Sequence, residues 1–309
     1  MALRLVAASK TDVGQQRDQN EDNCYANVVE NDQQSAGLFI VADGMGGYHA
    51  GEIASKIAVD TIGEILSPLF GPTSSQPTLR LNKRKRGKGK ASKDRDERDD
   101  PAKTQPLAEL HEESAAEAEH ETRQLDESLV VQHYADKLRD AIERSSEAIV
   151  SYGQEHSEAR GLGSTVTAAL TIGDQAFVAN VGDSRTYLLR NGKLERLTQD
   201  HSLVERLVEA GQISREQVYD HRQRNLIYRS LGAGHAEVEV DIFTEHLGPG
   251  DALLLCSDGL WEMVRDPQIE SILNEVTDPA EACDMLIERA NENGGEDNIT
   301  AVLVRCLER

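Results

Sequence analysis

The chain of 309 residues carries 33 Lys and Arg against 55 Asp and Glu, a formal net charge of −22 at pH 7. This acidity disfavours unaided binding to nucleic acid or to an anionic membrane surface, and no apolar run reaches the roughly 18 residues of a membrane span. The four cysteines lie far apart without a CxxC pair, so neither a zinc site nor a disulfide framework is indicated, and a cytoplasmic location is expected.

The first predicted elements are a buried strand and two helices. LFIVAD, residues 38–43, is a short apolar run that ends in a polar turn, which is typical of a buried strand. Over residues 51–66 apolar side chains recur at spacings of three and four, which predicts an amphipathic helix. The same spacing returns over residues 138–152, so the two helices are expected to form a hairpin.

Residues 72–128, between these helices, contain almost no branched apolar or aromatic side chains. Such a stretch buries too little surface to offset its ordering entropy, which predicts a mostly disordered insertion within one domain spanning residues 1–309. A transient helix is expected over about 115–127. The insertion's 12 basic and 13 acidic residues nearly cancel, so the excess of acid belongs to the rest of the chain.

The basic run at residues 83–90, six of whose eight residues are Lys or Arg, is interpreted as a solvated loop. An acidic block follows it and no aromatic residue interrupts it, which disfavours nucleic-acid binding. A nucleic-acid tether and a docking segment for a kinase or scaffold are the alternatives.

Beyond residue 161 the apolar period becomes two, which predicts successive strands. They are STVTAALTI, QAFVANVGD, RTYLLR, KLERLT, VEVDIFTEHL, DALLLCSD and ITAVLVRCL. Asn191 and Gly192 predict a hairpin between RTYLLR and KLERLT, and Pro249 and Gly250 predict a turn before DALLLCSD. A polar helix-turn segment over 201–217 and two helices over 267–293 complete the pattern. The predicted class is α+β, a two-sheet antiparallel β-sandwich covered by helices.

Acidic residues recur beside glycine at the ends of these strands. Asp-Gly is also a common turn dipeptide, so any one such motif alone is more often an ordinary turn. Two apolar strands that both deliver an aspartate into a glycine turn are more specific, and carboxylates gathered in this way suit Mg²⁺ or Mn²⁺. The candidates are Glu21, Asp22, Asp43, Asp183, Asp258 and Asp297.

In this order the motifs resemble the metal-dependent type 2C Ser/Thr protein phosphatases, especially the compact bacterial kind, over residues 5–307. The resemblance implies a central β-sandwich flanked by helices, with two Mn²⁺ or Mg²⁺ ions and a weaker third. It implies hydrolysis of phosphoserine and phosphothreonine on proteins by in-line attack of a metal-bridging hydroxide. The implied partners are phosphorylated proteins and a Ser/Thr kinase, and a monomer is expected. The alternative is a catalytically silent phosphoprotein-binding or scaffold module on the same fold.

The resemblance also implies roles for individual residues. Asp43 would bridge both metals, with the Gly44 carbonyl on one of them. Asp258 and Asp297 would hold the first metal, and Glu21 would approach the second.

Three further positions complete the implied site. Asp22 would act through a metal-bound water, Asp183 would share the third metal, and Arg17 would grip the substrate phosphate. Many eukaryotic members carry a histidine where this chain has Met45, so the identity of the general acid stays open. His49 is interpreted as an ordinary polar residue near a helix start.

Other residues near these motifs are assigned structural roles. Ser164 and Thr165 are expected to satisfy backbone groups at a strand start, and Trp261 is expected in the core. Residues 201–229 have the mixed charge of a solvated face. The resemblance offers a second reading, a flap beside the cleft whose phosphopeptide contacts would be Arg222, Arg224 or Asn225.

Overall fold

The computed structural model describes residues 3–30, 35–46, 49–70, 108–235 and 237–309, and the backbone alone over 108–127. Most of the predicted insertion, residues 72–107, lies outside the described residues. The chain divides into two compact units, Met1–Phe70 with Tyr134–Arg309, and Gly71–His133. Every helix in the described ranges is too short or too polar to span a bilayer.

The described ranges contain twelve strands and seven α-helices. The strands are β1 (Leu3–Asp12), β2 (Asp22–Glu30), β3 (Ser35–Met45), β4 (Gly163–Ser164), β5 (Val166–Ile172), β6 (Gln175–Val181), β7 (Arg185–Arg190), β8 (Lys193–Arg196), β9 (Leu231–Gly232), β10 (Asp241–His246), β11 (Ala252–Cys256) and β12 (Ile299–Glu308). The helices are α1 (Ala50–Leu66), α2 (Ala108–Glu155), α3 (Leu203–Glu209), α4 (Arg215–Val218), α5 (Asp258–Trp261), α6 (Asp266–Glu275) and α7 (Pro279–Glu292).

The strands form two antiparallel sheets. One has five strands in the order β1-β12-β11-β7-β8. The other has seven, in the order β10-β6-β5-β3-β4-β9, with β2 paired to β3. Helices α6 and α7 pack on the five-stranded sheet, and α1 packs against β2 and β3 of the other. The predicted α+β class, with two antiparallel sheets and helices outside them, is confirmed.

Both sheets contribute one face to a shared core. Leu253 and Leu255 of β11 pack with Phe39 of β3 between the sheets. The alternate residue, Leu254, packs with Leu286 under the helices. Because both faces of β11 are buried, its sequence is apolar throughout instead of alternating.

The connections between strands decide where the acidic residues lie. The hairpin at Asn191 and Gly192 is confirmed, with φ of 51° and 76°. The turn at Gly250, in contrast, leads from the seven-stranded sheet into the five-stranded sheet, and so does the turn from β6 to β7. Strands β1 and β2 are not delimited by the sequence pattern, and α2 begins at Ala108, seven residues before the helix expected at about 115.

Candidate active site

The acidic candidates meet at one end of the sandwich. Asp43 lies near the end of β3, and Asp22 opposes it across the antiparallel pair. Asp258 begins α5 directly after β11, and Asp297 lies two residues before β12. Asp183 lies in the turn by which the chain crosses from one sheet to the other. Strand ends from both sheets therefore deliver carboxylates to the same place.

A cavity of about 260 Å³ opens at this end of the sheets. Seven of the eight site residues predicted from the sequence line it; Asp22 is not among the lining residues and is only 5% exposed. The predicted residues that line it are Arg17, Glu21, Asp43, Gly44, Asp183, Asp258 and Asp297.

Burial and mutual repulsion keep these carboxyls from ionising easily. Burial, and then the charges of Asp258, Asp22 and other neighbours, raise the pKa of Asp43 well above its ordinary value. Burial, followed by Asp183, does the same to the pKa of Asp258. Burial also raises the pKa of Asp22 and of Asp183 to about 7. A nearby cation would offset the cost of ionising these carboxyls and lower their pKa.

The polar atoms left without partners fit a hard divalent cation. Asp258 Oδ1 and Asp22 Oδ1 are buried and accept no hydrogen bond from the described residues. Oxygen-only donors of this kind suit Mg²⁺ and Mn²⁺. Within the described part of the chain, no group of three or more His, Cys, Asp or Glu side chains is already arranged to hold a metal ion.

Two glycines allow the start of α1 to approach Glu21. A Cβ on Gly44 would lie 2.0 Å from the Gly51 carbonyl oxygen, and a Cβ on Gly51 would lie 2.8 Å from Glu21 Cδ. The Gly51 N–H donates to the Glu21 carboxylate and lowers its pKa, although burial outweighs this and raises the pKa overall. The Ser55 hydroxyl donates to the Glu21 carbonyl at 2.5 Å.

Arg17 lies on the loop between β1 and β2, which Asn298 holds in place. The Asn298 amide nitrogen donates to the Val13 and Gln19 carbonyls at 2.9 and 2.8 Å, and its oxygen accepts the Glu21 N–H at 2.8 Å. Arg17 Nη2 donates to Asp297 Oδ2 at 2.5 Å. Sequence reasoning missed Asn298, whose one visible signal is its position directly after Asp297.

Two hydroxyls that sequence reasoning also missed fix Asp22 beneath the cavity. Ser257 and Thr300 each donate to Asp22 Oδ2 at 2.7 Å. Their hydrogen bonds favour the ionised carboxylate and partly offset the effect of its burial. Ser257 directly precedes Asp258, so a single strand end positions two carboxylates.

Ser164 and Thr165 satisfy backbone groups and Trp261 lies in the core, as predicted, although Thr165 also lines the cavity. The Ser164 hydroxyl donates to the Asp43 carbonyl at 2.9 Å, and the Asp43 N–H donates to Thr165 Oγ1 at 3.2 Å. Trp261 is 1% exposed, and its indole N–H donates to the Asp183 carbonyl at 3.0 Å. All three therefore support the backbone that carries the acidic residues.

The segment over 201–229 reaches the cavity through one of its three candidate contacts. Asn225 lines the cavity, together with Ile227. Arg224 instead donates to Glu262 and Glu296 at 3.0 and 2.8 Å. Arg222 is exposed and does not line the cavity.

Met45, the residue after Asp43 and Gly44, and His49 differ in their position relative to the cavity. Met45 lines the cavity, whereas His49 does not. His49 lies at the start of α1 with φ of 65°, and its ring nitrogen lies 3.2 Å from Gln19 Nε2.

Comparisons with known proteins agree with this arrangement. The sequence pattern of the family described as Protein phosphatase 2C matches residues 13–303. The serine/threonine phosphatase Stp of Listeria welshimeri is 35% identical over 298 residues, covering 96% of this chain and 94% of the Listeria protein. The serine/threonine protein phosphatase PstP of Mycobacterium tuberculosis is 32% identical over 308 residues, covering 100% of this chain and 46% of PstP.

Solved structures show the same relationship. The catalytic domain of PstP, in complex with two manganese ions, has a TM-score of 0.70 at 30% identity and covers 99% of this chain and 100% of that chain. The phosphatase Stp1 from Staphylococcus aureus also has a TM-score of 0.70 at 30% identity, covering 100% of this chain and 98% of that chain. The resemblance found in the sequence motifs is confirmed. The chain therefore belongs to the protein phosphatase 2C family of serine/threonine protein phosphatases.

Proposed function

We propose that the chain hydrolyses phosphoserine and phosphothreonine on proteins with two bound divalent cations, Mn²⁺ or Mg²⁺, and a weaker third. The observation that carries this proposal is the group of buried carboxylates around one cavity, two of which keep an oxygen without a hydrogen-bond partner among the described residues. Buried carboxylates without a basic partner are costly unless a cation binds them. Phosphorylated proteins are the proposed partners, together with the Ser/Thr kinase that supplies the phosphate.

Five groups around the cavity are proposed to hold the two principal cations. Asp43 is shared between them, with the Gly44 carbonyl as a further ligand of one. Asp258 and Asp297 hold the first cation, and Glu21 approaches the second. All five line the cavity, which supports this assignment. When bound, the cations supply a Lewis acid that offsets the phosphate charge and makes water more acidic.

Asp183 and Asp22 are proposed to have secondary roles. Asp183 lies near enough to Asp258 to raise the pKa of that carboxyl, which supports a third, weaker cation between them. Asp22 keeps Oδ1 free below the cavity while Ser257 and Thr300 hold Oδ2. This arrangement suits contact with a cation through water.

Arg17 is proposed to hold the substrate phosphate. Its side chain is 49% exposed and uses Nη2 to contact Asp297, so the rest of the guanidinium fork faces solvent at the mouth of the cavity. A guanidinium binds phosphate oxygens in a bidentate manner and fixes their orientation. Asp297 thus orients the arginine that binds the substrate.

The cavity lining favours direct attack by water on phosphorus. Among the described residues that line it there is no serine, cysteine, histidine or lysine, and the one hydroxyl, that of Thr165, is already hydrogen-bonded to the Asp43 N–H and to Ser184. Cys283 and Cys306 are buried elsewhere, and burial raises the pKa of each thiol to about 12. Carboxylates are therefore the side chains available to receive the proton of the attacking water.

The proposal is tested by turnover of a phosphothreonine peptide with Mn²⁺, with Mg²⁺ and with a chelator in parallel. Hydrolysis with either cation and none with the chelator is expected. Turnover that persists in chelator would overturn the metal-dependent mechanism. Binding of phosphoprotein without turnover under any of these conditions would instead favour the silent scaffold.

A further inference from the structure

His201 is a buried histidine that has no role in the proposed hydrolysis. It begins the segment over 201–229, and its backbone N–H donates to the Gly182 carbonyl at 2.8 Å. Its ring Nδ1 accepts the Gly182 N–H at 3.0 Å. Both backbone polar groups of Gly182 are therefore hydrogen-bonded to one residue, and Gly182 directly precedes Asp183.

The contacts of the His201 ring define its protonation. Because Nδ1 accepts a hydrogen bond, it carries no proton, and the proton of the imidazole lies on Nε2. Two groups lie beside Nε2, Asp241 Oδ2 at 3.1 Å and Arg229 Nη1 at 2.9 Å. Nε2 therefore donates to Asp241, whose Oδ1 accepts from Arg229 at 2.9 Å. Burial lowers the pKa of His201, which favours the same neutral ring.

The turn that follows Gly182 fixes the backbone that carries Asp183. Gly182 has φ of 110°, and a Cβ on it would lie 2.6 Å from the Cβ of Thr165. The Trp261 indole N–H donates to the Asp183 carbonyl. The Asp183 carboxylate accepts a hydrogen bond from its own backbone N–H, so the backbone of the turn decides where this carboxylate lies. His201 thus holds the residue directly before a proposed ligand of the third cation.

We propose that His201 is a positioning residue for Asp183, and that Asp241 selects the ring tautomer that this role requires. The inference rests on the proposed function, which places Asp183 at a third, weaker cation. Groups that orient a metal ligand without touching the metal contribute to the affinity of the site. Without Asp241, the remaining polar neighbour of Nε2 is Arg229, which can only donate to it. The ring proton would then move to Nδ1 and face the Gly182 N–H.

Asp241→Ala tests these contacts without changing the buried ring. In the metal-free protein, hydrogen exchange of the Gly182 N–H, followed by NMR, should become about five- to tenfold faster than in the wild type, because this N–H loses its acceptor. In a calorimetric titration with Mn²⁺, the weakest of the bound ions should bind about tenfold less tightly. The two stronger ions should bind as in the wild type.

Glu239→Ala is the matched control. Glu239 also pairs with Arg229, through Nη2 at 2.6 Å. It forms no hydrogen bond with His201, whose ring partners in the described part of the chain are Gly182, Asp241 and Arg229. The control removes the same charge from the same arginine, and it should leave both Gly182 exchange and Mn²⁺ binding as in the wild type.

A second pair of variants changes the ring itself. His201→Asn keeps an acceptor near the position of Nδ1, whereas His201→Gln places its amide near the position of Nε2 and leaves the Gly182 N–H without an acceptor. The weakest Mn²⁺ site should therefore be weakened in His201→Gln and largely restored in His201→Asn. A role in packing alone predicts the reverse order, because the asparagine side chain fills less of the buried space.

Unchanged Gly182 exchange and Mn²⁺ binding in Asp241→Ala, or equal changes in Glu239→Ala, would overturn the inference while leaving the proposed hydrolysis intact. A wild type that binds only two Mn²⁺ ions would overturn the third cation and this inference with it. A wild type that binds none would overturn the proposed function.

Discussion

Two neighbouring groups of buried charges are satisfied in opposite ways, and the Asp200 carboxylate of one raises the pKa of Asp183 in the other. In the paired cluster, Arg185 donates from Nε and Nη2 to the Asp200 carboxylate at 3.0 and 2.6 Å. Arg196 bridges Asp200 to Glu205, at 3.3 and 2.6 Å. In the carboxylate cluster, formed by Asp22, Asp43, Asp183 and Asp258, burial is the largest cause of each raised pKa, and other acids raise it further.

The difference separates structural charges from functional ones. Burial of an ion is costly, and an opposite charge of the fold offsets that cost in the paired cluster. In the carboxylate cluster the opposite charge must come from outside the chain. A bound cation can supply that charge. Sites whose groups are left unsatisfied by the fold are where function is expected.

The largest effect on stability is expected from breaking the paired cluster. Arg185→Met leaves Asp200 buried with less compensation and removes the guanidinium that lies 3.5 Å from the centre of the Trp261 ring. The free energy of unfolding should fall by about 3–5 kcal/mol. Urea denaturation measures it, with Arg139→Met, which breaks the exposed ion pair to Asp136, as the control expected to cost less than about 1 kcal/mol. Equal losses in the two variants would contradict the comparison.

Removing a charge from the carboxylate cluster should raise the free energy of unfolding instead of lowering it. Asp258→Asn relieves repulsion, so the metal-free protein should become more stable. At the same time phosphopeptide turnover with Mn²⁺ should fall by about 100-fold or more, because a ligand of the proposed cations is lost. Asp60→Asn, at an exposed position on α1, should change neither property. A metal-free Asp258→Asn protein that is less stable than the wild type would contradict the assignment.

The pH dependence of stability should also distinguish the carboxylate cluster. The pKa of Asp22 and of Asp183 is about 7 in the folded protein, against an ordinary 3.8. The folded state therefore keeps protons that the unfolded state has released, so the metal-free protein should lose stability as pH rises from about 4 to about 7. Thermal unfolding in chelator at pH 5 and pH 8 measures this effect, and the slope should be shallower in Asp183→Asn. Greater wild-type stability at pH 8 than at pH 5 would contradict it.

A smaller effect is expected at Asn298. Asn298→Ala leaves the Val13 and Gln19 carbonyls and the Glu21 N–H without their partner, which should lower the free energy of unfolding by about 1–3 kcal/mol. Because the loop that carries Arg17 is then less well held, KM for a phosphopeptide should rise more than kcat falls. Steady-state kinetics separate the two constants. A loss of stability with both constants unchanged would show that Asn298 supports the fold and not Arg17.

Much of the fold was predictable because its strands are bounded by strong turn residues. The hairpin at Asn191 and Gly192 is an example. The sequence pattern does not delimit β1 and β2, whose residues are mostly half-buried or exposed, so neither strand has a continuous apolar signature. Nor does any local pattern record that the turn at Gly250 crosses between sheets, because that crossing depends on packing with strands distant in the chain.

The candidate site was predictable where an aspartate follows an apolar strand, as at Asp43 and Asp258. Its supporting groups were not. Ser257, Thr300 and Asn298 act through hydrogen bonds to residues more than 200 positions away in sequence, and such partners carry no local pattern.

Calorimetric titration of Mn²⁺ into the metal-free wild type and into Asp258→Asn shows directly whether the buried carboxylates, which the fold leaves unpaired, bind cations. The wild type is expected to bind at least two ions, and Asp258→Asn is expected to lose at least one of them. The absence of measurable binding to the wild type at roughly millimolar Mn²⁺, or identical binding to both proteins, would contradict this expectation.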